Sequence, residues 1–110
     1  VSVIVTEILR PRQAWRLVAE VEGVPAAILS LECSGPVASL RALQTLPGFE
    51  RLGLANDLVT AALELARRVG AISVQASCGP GDRATKNLLE QAGFRTIELT
   101  LARSLLTNPD

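Results

Sequence analysis

The chain has 110 residues, 48% of them hydrophobic, and its eleven basic and eleven acidic side chains cancel. Zero net charge and only one Trp and two Phe leave no footprint for nucleic acid or an anionic membrane surface, and no apolar run is long enough to span a bilayer. With no His and no Tyr there is no Ser-His-Asp or Cys-His pair and no imidazole metal site; two cysteines alone build no zinc site, so acid–base work falls to Asp, Glu, Lys, Cys or water.

The length suits one domain over residues 1–110 with a core of its own. Residues 1–9 are β-branched and apolar and read as a strand ending before Pro11. They lack the basic start and small-residue cleavage pattern of an export signal. With Cys33 and Cys78 read as free thiols, this points to the cytoplasm. Trp15, Leu17, Ala19 and Val21 alternate with Arg16, Val18, Glu20 and Glu22, the period of a half-buried strand with Trp15 in the core. Glu22-Gly23-Val24-Pro25 turns the chain into a returning strand over residues 26–32. Ser34-Gly35-Pro36 leads into a further strand over residues 37–46, which Pro47-Gly48 breaks.

From Leu54 the period changes to 3.6. Leu54, Leu58, Ala61, Ala62, Leu65 and Val69 form one face, with Asp57, Thr60, Glu64, Arg67 and Arg68 largely opposite. Glu64 and Arg68 have the favourable i,i+4 order, and Gly70 supplies the stop. Residues 72–76 form a short strand. Asp82 caps a second helix running to about Gln91, and Gly93 terminates it. Residues 94–101 alternate as a last strand, and residues 108–110 form a frayed tail. The order is α+β: an antiparallel meander followed by strand-helix-strand-helix-strand in a mixed sheet, not a doubly wound Rossmann domain.

Residues 43–56, Leu-Gln-Thr-Leu-Pro-Gly-Phe-Glu-Arg-Leu-Gly-Leu-Ala-Asn, carry most of the chemistry. They read as a strand, a tight turn and a helix N-terminus, which aims free backbone N–H groups outward where a phosphate is held without lysine. Gly53 and Ala55 leave the main chain approachable. The same residues also suit an ordinary strand-to-helix connection.

Taken together, residues 15–101 resemble the GNAT N-acetyltransferase superfamily. The family text is a strand, Pro-x-aromatic-Arg-Gly-x-Gly-x-Gly/Ala, a long helix, a strand, and a second helix ending in Tyr-x-x-x-Gly-Phe. Pro47, Phe49, Gly53, Ala55 and Gly93-Phe94 match it. The resemblance implies acetyl-CoA as co-substrate and no metal. Main-chain groups of Leu43, Gln44 and Thr45 would meet the pantetheine, while Glu50, Arg51, Leu52, Gly53, Leu54, Ala55 and Asn56 would hold the pyrophosphate. Glu50 stands where the family usually has Arg or Gln, with Arg51 one place later. Asp82 replaces a frequent Asn, and Leu89 replaces the Tyr that protonates the departing thiolate. The family's N-terminal strand and two helices, part of the acceptor site, are shortened to residues 1–14.

The implied activity is transfer of an acetyl group to the amine of an unidentified small molecule or peptide, with the thioester carbonyl polarised by a main-chain N–H of residues 43–46. Cys78 reads either as a catalytic thiol near the acetyl group or as a small buried hydrophobe. Glu32 reads either as a general base for the amine, directly or through water, or as a solvated strand-end charge. The alternative is a GNAT-like module that binds acyl-CoA or a protein partner with weak or no catalysis. Exposed sheet edges beside the short N-terminal segment allow a homodimer.

Overall fold

The structure, a computed structural model, describes residues 1–9, 13–50, 52–78, 81–97 and 100–105. Strand β1 spans Ser2–Leu9, β2 Gln13–Val21, β3 Val24–Ser34 and β4 Val37–Thr45. Helix α1 (Leu54–Arg68), β5 (Ser73–Ser77), α2 (Arg83–Gln91), β6 (Arg95–Ile97) and β7 (Thr100–Ser104) follow. The seven strands form one mixed sheet in the order β1-β2-β3-β4-β5-β7-β6. Every pairing is antiparallel except β4 with β5, which α1 joins as a parallel crossover. The chain is therefore α+β, as the residue pattern predicts.

Paired residues share a face of the sheet, so the register shows which face is core. Trp15, Leu31, Leu40 and Ala76 align across β2–β5, as do Cys33, Ala38 and Val74 across β3–β5. All seven are buried, and α1 packs over this face along β2, β3 and β4. The helix answers with Leu54, Leu58, Val59, Ala62, Leu63 and Ala66. Each large side chain among these contributes about 1.5–3 kcal/mol by leaving water. This stripe is rotated from the expected one: Ala61, Leu65 and Val69 sit half-buried on its shoulder. Half of this helix's circumference is apolar, so periodicity alone leaves the centre of the buried stripe open to a one-residue turn.

The second correction lies near the C-terminal end. Instead of one strand over residues 94–101, Arg95–Ile97 and Thr100–Ser104 are separate strands paired antiparallel to each other, and β7 pairs with β5. Continuous alternation gave no hint of a reversal, since no Gly or Pro marks it. The rest of the element order agrees. Asp82 caps α2 by accepting the Thr85 N–H at 3.1 Å, and Phe94 and Leu89 are buried in the core.

Only residues 10–12 separate β1 from β2, so the two strands form a simple hairpin with no room for helices between them. The sheet face opposite α1 carries Arg16, Val18, Ile28, Ser30, Glu32, Ser39, Arg41 and Gln75, and none of these eight is fully buried. Among the described residues no helix is long and apolar enough to cross a membrane.

Candidate functional site

Strand β4 pairs with β5 only as far as Leu40 opposite Ala76. Beyond that point the two strands diverge, and one edge of residues 41–45 is left without a strand partner. The divergence coincides with a bulge. The β3–β4 register shifts between Ile28 and Ser30, and Ala42 adopts a left-handed backbone, φ +56°. Ser30 pairs with Arg41 on the open face, while Ala27 pairs with Thr45 on the α1 face. The extra residue thus keeps Leu43 and Thr45 on the α1 side although Arg41 points the other way. Without the bulge, strict alternation would turn Leu43 away from the helix.

The chain then turns sharply. Pro47 and Gly48 are the central residues of a turn closed by the Phe49 N–H on the Leu46 carbonyl at 3.1 Å, with Gly48 at φ +90°. Glu50 folds back into this turn: its carboxylate accepts the Gly48 N–H at 2.8 Å through one oxygen and 3.3 Å through the other. Gly53 is the N-cap of α1, in the left-handed region at φ 76°, ψ 12°, and no side chain among the described residues caps the helix. The Gly53 carbonyl accepts the Asp57 N–H at 3.0 Å. The N–H groups of Leu54, Ala55 and Asn56 precede the first intrahelical bond and carry the positive end of the helix dipole. A Cβ added at Gly53 would meet nothing within 4 Å, so the main chain is open to a ligand there.

A groove of about 330 Å³ runs along these groups. Leu43, Gln44 and Thr45 of β4 form one wall, Gly53, Leu54, Ala55 and Asn56 the end, and Ala84, Thr85 and Leu88 of α2 the opposite wall. Phe49 contributes a half-buried ring. Seven of the expected ligand-binding residues are therefore gathered on one depression. Glu50 and Leu52 are not on its lining, and Arg51 lies outside the described residues. Sequence reasoning missed Phe49 and α2 as walls of the groove. Phe49 had a signal, the aromatic two residues after Pro47; that α2 crosses the groove had none, because the crossing is tertiary.

A second depression, about 310 Å³, opens on the other face at the same divergence. Ser39, Arg41, Ala42, Gln75 and Ser77 line it, and Gln75 donates its side-chain N–H to the Ser39 hydroxyl at 3.4 Å. Glu32 stands at its margin, paired with Arg41 at 3.6 Å. Cys78, at the end of β5, lines neither depression and packs half-buried against the core. Burial pushes its thiol pKa up, Asp82 and Glu90 push it further, and Lys86 opposes them. Cys33 is buried and likewise raised. Both thiols are free and protonated at neutral pH. Leu89, in place of a phenol, is fully buried and presents no polar atom. Among the described residues no group of three or more His, Cys, Asp or Glu is arranged to hold a metal.

The fold recurs widely. The PaiA N-acetyltransferase of Thermoplasma acidophilum, solved with coenzyme A, superposes with a TM-score of 0.75 at 14% identity over 83% of this chain. The chain spans only 60% of that protein's length. An IAA acetyltransferase from Bacillus cereus gives 0.80 at 15% identity, covering 94% of this chain and all of the other. A GNAT family acetyltransferase from Elizabethkingia anophelis with acetyl-CoA bound gives 0.77 at 11% identity, over 86% of this chain and 76% of its own. At such identities the likeness is one of fold. No functionally curated protein matches the chain. Residues 17–103, however, match the sequence profile of the FR47-like protein family. With its mixed sheet, diverging β4 and β5 and uncapped α1, the chain belongs to that family, within the GNAT N-acetyltransferase superfamily.

Proposed function

We propose that this protein is an acetyl-CoA-dependent N-acyltransferase acting on an amine acceptor. The observation that carries this reading is the groove between β4 and α2, which ends on an uncapped helix N-terminus. Its parts fit coenzyme A in order. The N–H groups of Leu54, Ala55 and Asn56 supply the field for a diphosphate, which explains how a chain of zero net charge holds a polyanion. Leu43, Phe49, Leu54 and Leu88 offer apolar walls to an alkyl arm. The strand edge left free over residues 41–45 offers peptide groups to the amides of pantetheine. The structural relatives solved with coenzyme A or acetyl-CoA support the assignment.

Acetyl-CoA brings an activated thioester. This chain's main-chain N–H groups beside the Ala42 bulge would polarise its carbonyl, and Glu32 would take a proton from the acceptor ammonium, directly or through water. The amine nitrogen bonds to the acetyl carbon, the C–S bond breaks, and the proton still shed by nitrogen ends on the departing sulfur. With no phenol on α2, holding the two substrates together supplies most of the rate. Isothermal titration with acetyl-CoA, followed by a thiol-release assay over an amine panel, tests this. Saturable binding and acceptor-dependent thiol release are expected; no binding at millimolar coenzyme A would refute it.

Leu89 favours a second reading, a module that binds acyl-CoA without transferring it. Its buried side chain leaves Thr45 and Thr85 as the hydroxyls on the groove lining. Tight coenzyme binding with no acceptor-dependent thiol release would select this reading. A cytoplasmic setting and a homodimer belong to the same proposal, and sedimentation velocity tests the latter.

A further inference from the structure

The depression on the open face has a distinctive polarity. Among the described residues its lining combines Ser39, Gln75 and Ser77 with one cation, Arg41, and the Glu32 carboxylate is paired to that cation at 3.6 Å. The pair is loose and wet: the side chains are 63% and 37% exposed. A guanidinium has five N–H donors and a carboxylate two acceptor oxygens, so a single 3.6 Å contact leaves most of both available to a ligand. Arg41 immediately precedes Ala42, the bulge residue that divides this depression from the groove over Leu43–Thr45. A molecule held by Arg41 and Glu32 therefore lies two residues along β4 from Leu43, on the opposite face of the sheet where β4 and β5 part.

From this charge arrangement, and resting on the acyltransferase reading above, we infer that the acceptor is a small molecule carrying a carboxylate beside its amine, a free α-amino acid. Its carboxylate takes the fork of Arg41, and its ammonium takes Glu32, which then receives the proton that must leave before nitrogen attacks. Both ligand charges sit on one carbon, and both protein charges sit a few ångströms apart, so the ligand bridges the pair as it opens. Ser39, Gln75 and Ser77 suit a polar ligand. Among the described residues a polycationic acceptor finds no excess negative charge there, because Glu32 only balances Arg41. An acceptor with its carboxyl group amidated leaves the Arg41 fork without an anion.

The test is an NMR titration of the full chain, isotope-labelled, with alanine, alaninamide and spermidine in turn, each with and without saturating coenzyme A. Alanine is expected to shift the Arg41 Nε–H and Gln75 side-chain signals saturably, and to bind about tenfold more tightly than alaninamide. Arg41→Gln, at an exposed position, is expected to abolish that difference. Equal affinity for acid and amide, tighter binding of spermidine, or no saturable shift at Arg41 and Gln75 would overturn the assignment. The coenzyme reading is judged separately, from shifts at residues 43–56 on adding coenzyme A alone.

Discussion

The Glu50 carboxylate is bound two residues back along its own chain, to the Gly48 N–H at 2.8 Å. This contact resolves an apparent conflict, because a carboxylate at this point of the turn would otherwise oppose an anion at the start of α1. Tied into the turn, Glu50 serves backbone geometry and stays off the groove lining. Glu50→Gln keeps an acceptor but removes the charge, and should tighten coenzyme A binding about twofold. Glu50→Ala should also lose about 0.5 kcal/mol of stability with the exposed hydrogen bond. Calorimetric titration and chemical denaturation measure the two effects; weaker coenzyme binding by Glu50→Gln would contradict this account.

Gly53 has open space around a would-be Cβ but a left-handed backbone. Gly53→Ala should therefore destabilise by about 1 kcal/mol through backbone strain alone. Gly53→Asn should cost less, since Asn tolerates that region. Both place a side chain where the ligand approaches the main chain, so both should weaken coenzyme A binding. Stability and affinity then part company in the Asn variant, which separates binding from folding.

Asn56 lies in the first turn of α1 and lines the groove. Asn56→Asp adds a carboxylate at the positive end of the helix dipole and should raise stability by about 0.3–1 kcal/mol. The same charge faces the diphosphate and should weaken coenzyme A binding about tenfold. A melting curve and a titration with opposite signs are the expected pair. Equal affinity with wild type would remove the diphosphate from this helix end.

Arg103 of β7 is buried, and its Nε and one terminal nitrogen have no hydrogen-bond partner among the described residues. Burial lowers its pKa, with repulsion from Arg67 adding to the effect. Replacing a buried cation that leaves two nitrogens unsatisfied among the described residues by an apolar chain of similar volume removes a desolvation cost. Arg103→Met should therefore raise stability by about 1–2 kcal/mol, read as a higher denaturation midpoint.

Both cysteines carry raised pKa values in the folded chain. Below the ordinary thiol pKa of about 8.5 the folded and unfolded chains both hold these protons. As pH rises above it, the unfolded chain ionises first, so stability should fall towards alkaline pH and the slope should shrink in Cys33→Ala/Cys78→Ala. Alkylation of Cys78 at pH 8 should be slower than that of free cysteine.

The backbone logic of the site was largely readable from local residues. Pro47-Gly48 set the turn, Gly53 the helix start and Asp82 the cap of α2, each through rules acting within four residues. What escaped is tertiary. Ala42 has no composition signal for a left-handed backbone; the bulge is imposed by pairing with β3 while β5 leaves. The α2 wall of the groove follows from how that helix crosses α1. The reversal between β6 and β7 hides in an unbroken alternation, and Arg103, a charge at a core position, breaks the polarity code that sequence reading depends on.

The order of the strands has a kinetic consequence. β1 to β4 each pair with their neighbour along the chain, whereas Ser39 and Gln75, partners across β4 and β5, are 36 residues apart. Local pairings close at little entropic expense and the distant one closes late. The meander is thus expected to supply Leu43–Thr45 early, with the β4–β5 closure and the α2 wall of the groove completed later. A ligand spanning those walls acts as a clasp on the final assembly step: it lengthens the lifetime of the folded chain and leaves the rate of collapse unchanged.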